Sequence, residues 1–289
     1  MFNINKSIFI QHTKKNYGLD FEKLWQEGIL SKNEYDVQRA IDFNVERNFW
    51  KDFAPKYDNS PTLYDYAPET FHKLLEIIGK DKIIAEIGPG TGKFTLPMSK
   101  YSKKILAIDA SEYMLEILNK KISNNTILNV TPVCSKWEDA SIDKVDTIFN
   151  VNAIYRMWNI KDSLIKMNNL AKEKVVIVWT LQRSPFYNIF CKLGQPGLKT
   201  KSDYIYIQNI LYELGIDSNI EFLDIIKPIQ YNNKEDLYKD FIKEYGKSLF
   251  MDNIKKLLDY QTIIDGDYII FNAKLKVAFI YWNTLILPP

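Results

Sequence analysis

Arginine is nearly missing from this chain of 289 residues: it occurs only as Arg39, Arg47, Arg156 and Arg183. With 38 basic against 36 acidic residues the net charge is +2, so no bulk field draws the chain to nucleic acid, and none is expected as a partner. Histidine is scarcer still. His12 and His72 stand alone, in neither an H-x-x-x-H nor an H-E-x-x-H spacing, which removes the familiar zinc arrangements and argues against a Ser-His-Asp hydrolase. Cys134 and Cys191 lie far apart and outside any C-x-x-C. A disulfide framework or zinc knuckle therefore has no support, no metal is expected, and a reducing cytoplasmic setting is. No apolar run approaches bilayer length and no apolar region follows the N-terminal charge, so a soluble protein with no membrane partner is expected. Internal repeats and low-complexity linkers are also absent.

What the chain does have is 46% hydrophobic residues, enough for one large domain or one domain with an appended part. Its organising stretch is Lys82-Ile-Ile-Ala-Glu-Ile-Gly-Pro-Gly-Thr-Gly-Lys93, an apolar run running into glycines. Gly88, Gly90 and Gly92 follow the strand as G-x-G-x-G, where a doubly wound sheet lets backbone approach a nucleotide. A phosphate-cradling P-loop would need glycine and a hydroxyl where Ile87 and Phe94 stand, and the dinucleotide fingerprint would need glycine at Lys93. The next strand, Lys104-Ile-Leu-Ala-Ile-Asp109, ends in an acid suited to two ribose hydroxyls. An adenosine ligand without a pyrophosphate fits this pair best, the plainer alternative being a tight strand-to-helix turn with no ligand.

Together Glu86-Ile-Gly-Pro-Gly-Thr-Gly92, Asp109-Ala-Ser-Glu-Tyr-Met-Leu115, Trp137-Glu138-Asp139 and Asp146-Thr-Ile-Phe-Asn150 resemble, in order and spacing, the class I S-adenosylmethionine (SAM) dependent methyltransferases. The resemblance is to the small-molecule, methyltransferase type 11-like kind and covers roughly residues 80 to 180. It implies an α/β fold: a doubly wound, mostly parallel seven-stranded sheet (Rossmann-like methyltransferase fold), with a helical N-terminal cap over residues 1–60. The SAM-binding domain would occupy 61–289, with lid insertions at about 182–218 and 234–260. Phe49-Trp50-Lys-Asp-Phe53-Ala-Pro-Lys-Tyr57-Asp58 is similar to the family's W-x-x-F-A-x-x-Y-D segment, which would close Trp50, Phe53 and Tyr57 over the methionine end of SAM. An aromatic stripe packing a helix onto the sheet is the alternative for Trp50 and Phe53.

The expected cofactor-binding residues are Trp50, Tyr57, Glu86, Gly88, Gly90, Thr91, Gly92, Asp109, Ala110, Met114, Trp137, Glu138 and Asn150. By resemblance, Trp137 and Glu138 flank the adenine, and Lys136 departs from the acid common at its position. Asn150 to Asn152, at the end of the fourth strand, would pass the sulfonium. Along the chain we expect a helix over Thr70 to Ile78 with Gly79 as its C-cap, one from about Gly92 to Tyr101, a third strand at Ile127 to Val133, a fifth at Lys174 to Trp179, a sixth near Ile220 to Ile226 and a last at Lys274 to Trp282. Breaks at Ser184-Pro185 and Gly194-Gln-Pro196-Gly197 mark the lid.

Tyr155, Trp158 and Tyr187 are the expected acceptor-binding residues. In-line methyl transfer needs orientation and water exclusion more than covalent machinery, and no catalytic base is assigned. The implied activity is methyl transfer from SAM to a small, partly aromatic or apolar acceptor. The alternatives are an RNA or protein methyltransferase, or a catalytically silent SAM-binding partner subunit. The oligomeric state is not legible.

Overall fold

Short apolar runs become the central strands of a single mixed sheet. The computed structural model describes residues 18–59, 66–181, 185–186, 189, 203–246 and 251–285. In it β1 (Ile83–Ile87), β2 (Lys104–Asp109), β3 (Val130–Cys134), β4 (Val145–Val151), β5 (Ala171–Thr180), β6 (Asn219–Tyr231), β7 (Thr262–Asp265) and β8 (Tyr268–Asn283) form one sheet. Its order is β3-β2-β1-β4-β5-β8-β6, with β7 paired to β8. The first five strands are mutually parallel, while β8 runs antiparallel to β5, β6 and β7. The chain thus winds outward in one direction from β1 and in the other from β4, and the C-terminal ends of those two strands border the crevice where such sheets bind ligands.

Successive strand residues point to opposite faces, and both faces are covered. On one, Leu74, Met98, Leu118 and Ile122 pack against Ile84, Phe149, Val176 and Phe279. These helical residues come from α4 (Ala67–Ile78), α5 (Thr95–Ser99) and α6 (Glu112–Asn124). On the other face Ala85, Ile148, Val175 and Ile177 meet Trp25, Ile29, Leu164, Met167, Ile207 and Leu211. Those come from α1 (Phe21–Leu30), α7 (Ile160–Leu170) and α8 (Asp203–Glu213). Two further helices, α2 (Glu34–Ile41) and α3 (Phe43–Tyr57), follow α1. Asn33 and Asp42 start them, each side chain accepting a first-turn backbone N–H, from Asp36 and Asn44 respectively.

The doubly wound α/β architecture is the expected one, with three departures. The sheet has eight strands rather than seven. The additional one, β7, is only four residues long and directly follows a helix; Gly266, at φ 58°, turns it into β8. Strands β6 and β8 are each longer than expected, because their outer halves carry a satellite core of Tyr231, Leu237, Phe241, Ile254, Leu258 and Phe271. That core packs α9 (Lys234–Tyr245) and α10 (Met251–Tyr260), the segment expected as the second lid insertion. Finally, the helix after the glycines is short, Thr95–Ser99, since the turn itself occupies residues 90–94.

Candidate functional site

Beyond the C-terminal ends of β1 and β4 lies a cavity of about 470 Å³, within the range of small-molecule sites. Its floor is set by the glycine loop. Gly88, Gly90 and Gly92 all have positive φ, at 69°, 57° and 93°, but for different spatial reasons. A Cβ on Gly88 would meet Ala153 Cβ at 2.4 Å and one on Gly92 would meet Leu118 Cδ1 at 2.6 Å, so those two are closed against protein. A Cβ on Gly90 would find nothing nearer than Met114 Cε at 3.9 Å. Its space opens into the cavity, as a site for a ligand lying on main chain requires.

Asp109, at the end of β2, faces the same space. Its Oδ2 accepts the Gly90 N–H at 3.0 Å and its Oδ1 the Ser111 N–H at 2.9 Å, which fixes the carboxylate while leaving each oxygen a second lone pair. Burial pushes its pKa up to about 6, against the two backbone hydrogen bonds, and the nearby Glu46 adds to the rise. Glu86 on β1 is 2% exposed. Burial raises it to about 8 even though Thr95 Oγ1 donates to it at 2.6 Å. At the end of β4, Asn152 adopts φ 53°, a conformation asparagine tolerates. Its amide donates to Tyr66 OH at 3.1 Å and Thr180 Oγ1 at 2.9 Å and accepts the Thr180 N–H at 2.8 Å.

The roof is made by α2 and α3, and it is tied down by charge. Arg39 is the buried residue of α2 and Ala54 that of α3, so apolar burial contributes little to holding them. Glu46 instead accepts from Arg39 Nε at 2.6 Å, Trp50 Nε1 at 2.7 Å and Arg156 Nη1 at 3.2 Å. Arg156 Nη2 reaches Asp36 Oδ1 at 2.7 Å, joining the loop after β4 to both roof helices. At the far end of α3, Asp58 accepts from Thr91 Oγ1 at 2.6 Å and pairs with Lys121 at 2.7 Å, latching the roof to the glycine loop. Phe49, Trp50, Phe53 and Tyr57 run down α3 as a contiguous aromatic ladder. Tyr57 as a residue is 39% exposed, but its hydroxyl is enclosed by protein. That burial, with Tyr66, Tyr155, Asp58 and Asp109 nearby, pushes the phenol up to about 12.

Of the residues singled out from sequence, Trp50, Tyr57, Gly88, Gly90, Asp109, Ala110, Met114, Trp137, Glu138, Tyr155 and Trp158 all line this one cavity. Glu86, Thr91, Gly92 and Asn150 do not: they lie behind it, Glu86 bonded to Thr95 and Thr91 to Asp58, with Asn150 wholly buried. Tyr187 lies outside the described residues. The described residues of segment 234–260 contribute nothing to the lining. Sequence reasoning missed Arg39, Glu46, Arg47 and Tyr66 as lining residues, while Asn152, within the stretch expected to pass the sulfonium, and Arg156, between the expected Tyr155 and Trp158, also line the cavity. A signal was available, since three of the four arginines in the chain converge here. Lys136, the departure noted above, also lines the cavity, with its ammonium 4.4 Å from the centre of the Phe43 ring. Among the described residues no cluster of His, Cys, Asp or Glu could hold a metal ion, and no helix is long and apolar enough to cross a membrane.

A family model described as a methyltransferase domain matches residues 84–174. An uncharacterized protein of Haemophilus influenzae is 22% identical over 92% of this chain and 97% of its own. A ribosomal RNA small subunit methyltransferase A of Mesoplasma florum is 25% identical, covering 73% of this chain and 83% of its own. A solved SAM-dependent methyltransferase of Aquifex aeolicus has a TM-score of 0.45 and 14% identity, over 74% of this chain and 89% of that one.

Proposed function

We propose that the chain, whose residues 84–174 match a methyltransferase-domain model, is a SAM-dependent methyltransferase that methylates a small, partly aromatic or apolar acceptor. The observation that carries this reading is the single cavity running from Asp109 and Gly90 to Tyr155 and Trp158 beneath α2 and α3. SAM, when bound, supplies a methyl group activated by the sulfonium. The residues present suit it: the Asp109 carboxylate for the ribose hydroxyls, the open face of Gly90 for close approach, and Trp137 and Glu138 for the base. Trp50 and Tyr57 would cover its methionine end.

The chain's own contribution is to orient and to exclude water. The Asn152 amide, spent on Tyr66 and Thr180, holds the β4 turn in shape, and the Glu46 cluster keeps the roof over the cavity. Tyr57, with its phenol near 12, stays protonated at neutral pH and serves as a hydrogen-bond donor rather than a base. The roof supports a small acceptor, because a macromolecule would have to reach past α2 and α3. RNA is the second reading, favoured by the Mesoplasma florum relative named for ribosomal RNA and opposed by the net charge of +2. Tritiated SAM offered to the enzyme with a deproteinised metabolite extract, or with total RNA, separates the two. Label in the small-molecule fraction supports the first reading, and label confined to RNA overturns it.

A further inference from the structure

The turn between β3 and β4, residues 136–140, carries Trp137 and Glu138, the pair assigned above to the cofactor's base, and the inference rests on that reading. The Lys136 carbonyl closes the turn by accepting the N–H of Asp139 at 3.2 Å and that of Ala140 at 2.9 Å. Three other carbonyls of the turn converge on one atom. Lys166 Nζ, on α7, donates to the oxygens of Trp137 at 2.7 Å, Glu138 at 2.9 Å and Ala140 at 2.7 Å, which uses all three ammonium protons. The same ammonium lies 4.9 Å from the centre of the Trp137 ring, and Trp137 Nε1 donates to the Ser163 carbonyl of α7 at 3.3 Å. The helix is a firm base for these bonds, since its Ile160, Leu164 and Met167 are buried in the core.

Three carbonyl dipoles aimed at one place repel one another unless a cation sits there. The charge-assisted bonds to Lys166 therefore set the direction of the turn's peptides. Across a trans peptide the N–H lies opposite the carbonyl, so the bond to the Trp137 oxygen turns the Glu138 N–H away from Lys166. Glu138 lines the cavity and Lys166 does not, and among the described residues no protein group accepts from the Glu138 N–H. Glu138 thus offers a main-chain donor and a carboxylate acceptor, the complement of adenine's N1 and 6-amino group. We propose that Lys166 is a positioning residue for the cofactor's base, holding the Glu138 N–H where it donates to adenine N1.

The test is calorimetry on the full chain with three ligands: S-adenosylhomocysteine, its 2′-deoxy analogue, and S-inosylhomocysteine, whose base carries a proton at N1 and an oxygen at position 6. The wild type should prefer the adenine ligand over the hypoxanthine one by about thirtyfold. Lys166→Met keeps the apolar stem without the ammonium and should cut that preference to about threefold. The penalty for losing the 2′-hydroxyl should stay as it was, because Asp109 on β2 holds the ribose. A parallel weakening of all three ligands, as a merely structural lysine would give, overturns the inference, and so does an undiminished base preference. If Lys166→Met does not fold, Lys166→Gln is held to the same expectation; failure of both to fold makes Lys166 a residue of the fold itself and also overturns it. A wild-type chain that binds S-adenosylhomocysteine without base preference sinks this inference and leaves the cofactor reading standing. No binding of S-adenosylhomocysteine removes the cofactor reading first, and this inference with it.

Discussion

Two acids on neighbouring strands illustrate how residue-scale chemistry sets opposite pH dependences. Glu86 and Asp109 both carry raised pKa values, about 8 and about 6, because burial disfavours their ionised forms. A carboxyl shifted upward opposes folding once ionised, and the penalty is relieved as pH falls through the folded value toward the unfolded one, 4.5 for Glu86 and 3.8 for Asp109. The ligand-free protein should therefore gain melting temperature on acidification from pH 9 toward pH 6. Glu86→Gln should flatten the upper part of that rise and stabilise at pH 8 by about 1 to 3 kcal/mol, as read from thermal scans. A Glu86→Gln curve parallel to the wild type would rule out Glu86 as the titrating group. Cofactor affinity should move the other way, weakening below pH 6 as Asp109 takes up a proton. Asp109→Ala should weaken S-adenosylhomocysteine by roughly 1.5 to 3 kcal/mol if its carboxylate accepts from the ribose, and unchanged calorimetry would place the ribose elsewhere. Gly90→Val should abolish binding in a chain that still folds, since the open space at this position lies toward the cavity; normal binding by a folded Gly90→Val chain would make the turn purely structural.

Elements α2 and α3 are bound to the rest of the fold by polar groups at both ends: the Glu46 quartet at one and Asp58 with Thr91 and Lys121 at the other. Held more by ion pairs than by apolar burial, a roof can lift without unfolding the layers beneath it. Glu46→Gln keeps an oxygen for the Trp50 N–H but loses the charge facing Arg39 and Arg156. It should speed S-adenosylhomocysteine dissociation by roughly tenfold with less effect on association, measurable by stopped-flow fluorescence of the tryptophans lining the cavity. An unaltered dissociation rate would mean that the roof does not control ligand escape. Since α2 and α3 supply Arg39, Phe43, Trp50 and Tyr57 to the lining, removing residues 1–45 should impair cofactor binding as well as turnover.

At the scale of the whole molecule, ligand binding and folding draw on the same sheet. A ligand that binds only the folded chain stabilises it by mass action, about 2.7 kcal/mol at a hundredfold excess over Kd. S-adenosylhomocysteine at that excess should raise the melting temperature by roughly 5 to 10 °C. No shift, together with a flat calorimetric titration, would contradict SAM as the cofactor. Among the described residues, the satellite core built on β6, β8, α9 and α10 contributes no lining residue to the cavity.

The parallel strands, the glycine turn and Asp109 were legible in the sequence for local reasons. Apolar runs of strand length must be buried on both faces, glycines in alternation mark a backbone needing positive φ, and an acid closing the second strand lies next to that turn by topology. Residues whose role depends on distant partners were not legible. Glu86 and Asn150 belong to cofactor motifs by position, yet the sheet turns them into the layer behind the cavity. Arg39, Glu46 and Arg156 lie up to 117 positions apart in sequence (156 − 39) and meet only because α2 and α3 fold back over the β4 turn. β7 escaped notice because four residues after a helix carry too little periodicity to declare a strand, and its pairing with β8 supplies the rest. The sequence by itself determined the layered fold and the cofactor class, which rest on local patterns. Tertiary packing decided which polar side chains face the cavity, because burial and charge pairing are properties of neighbours that the chain brings together only on folding.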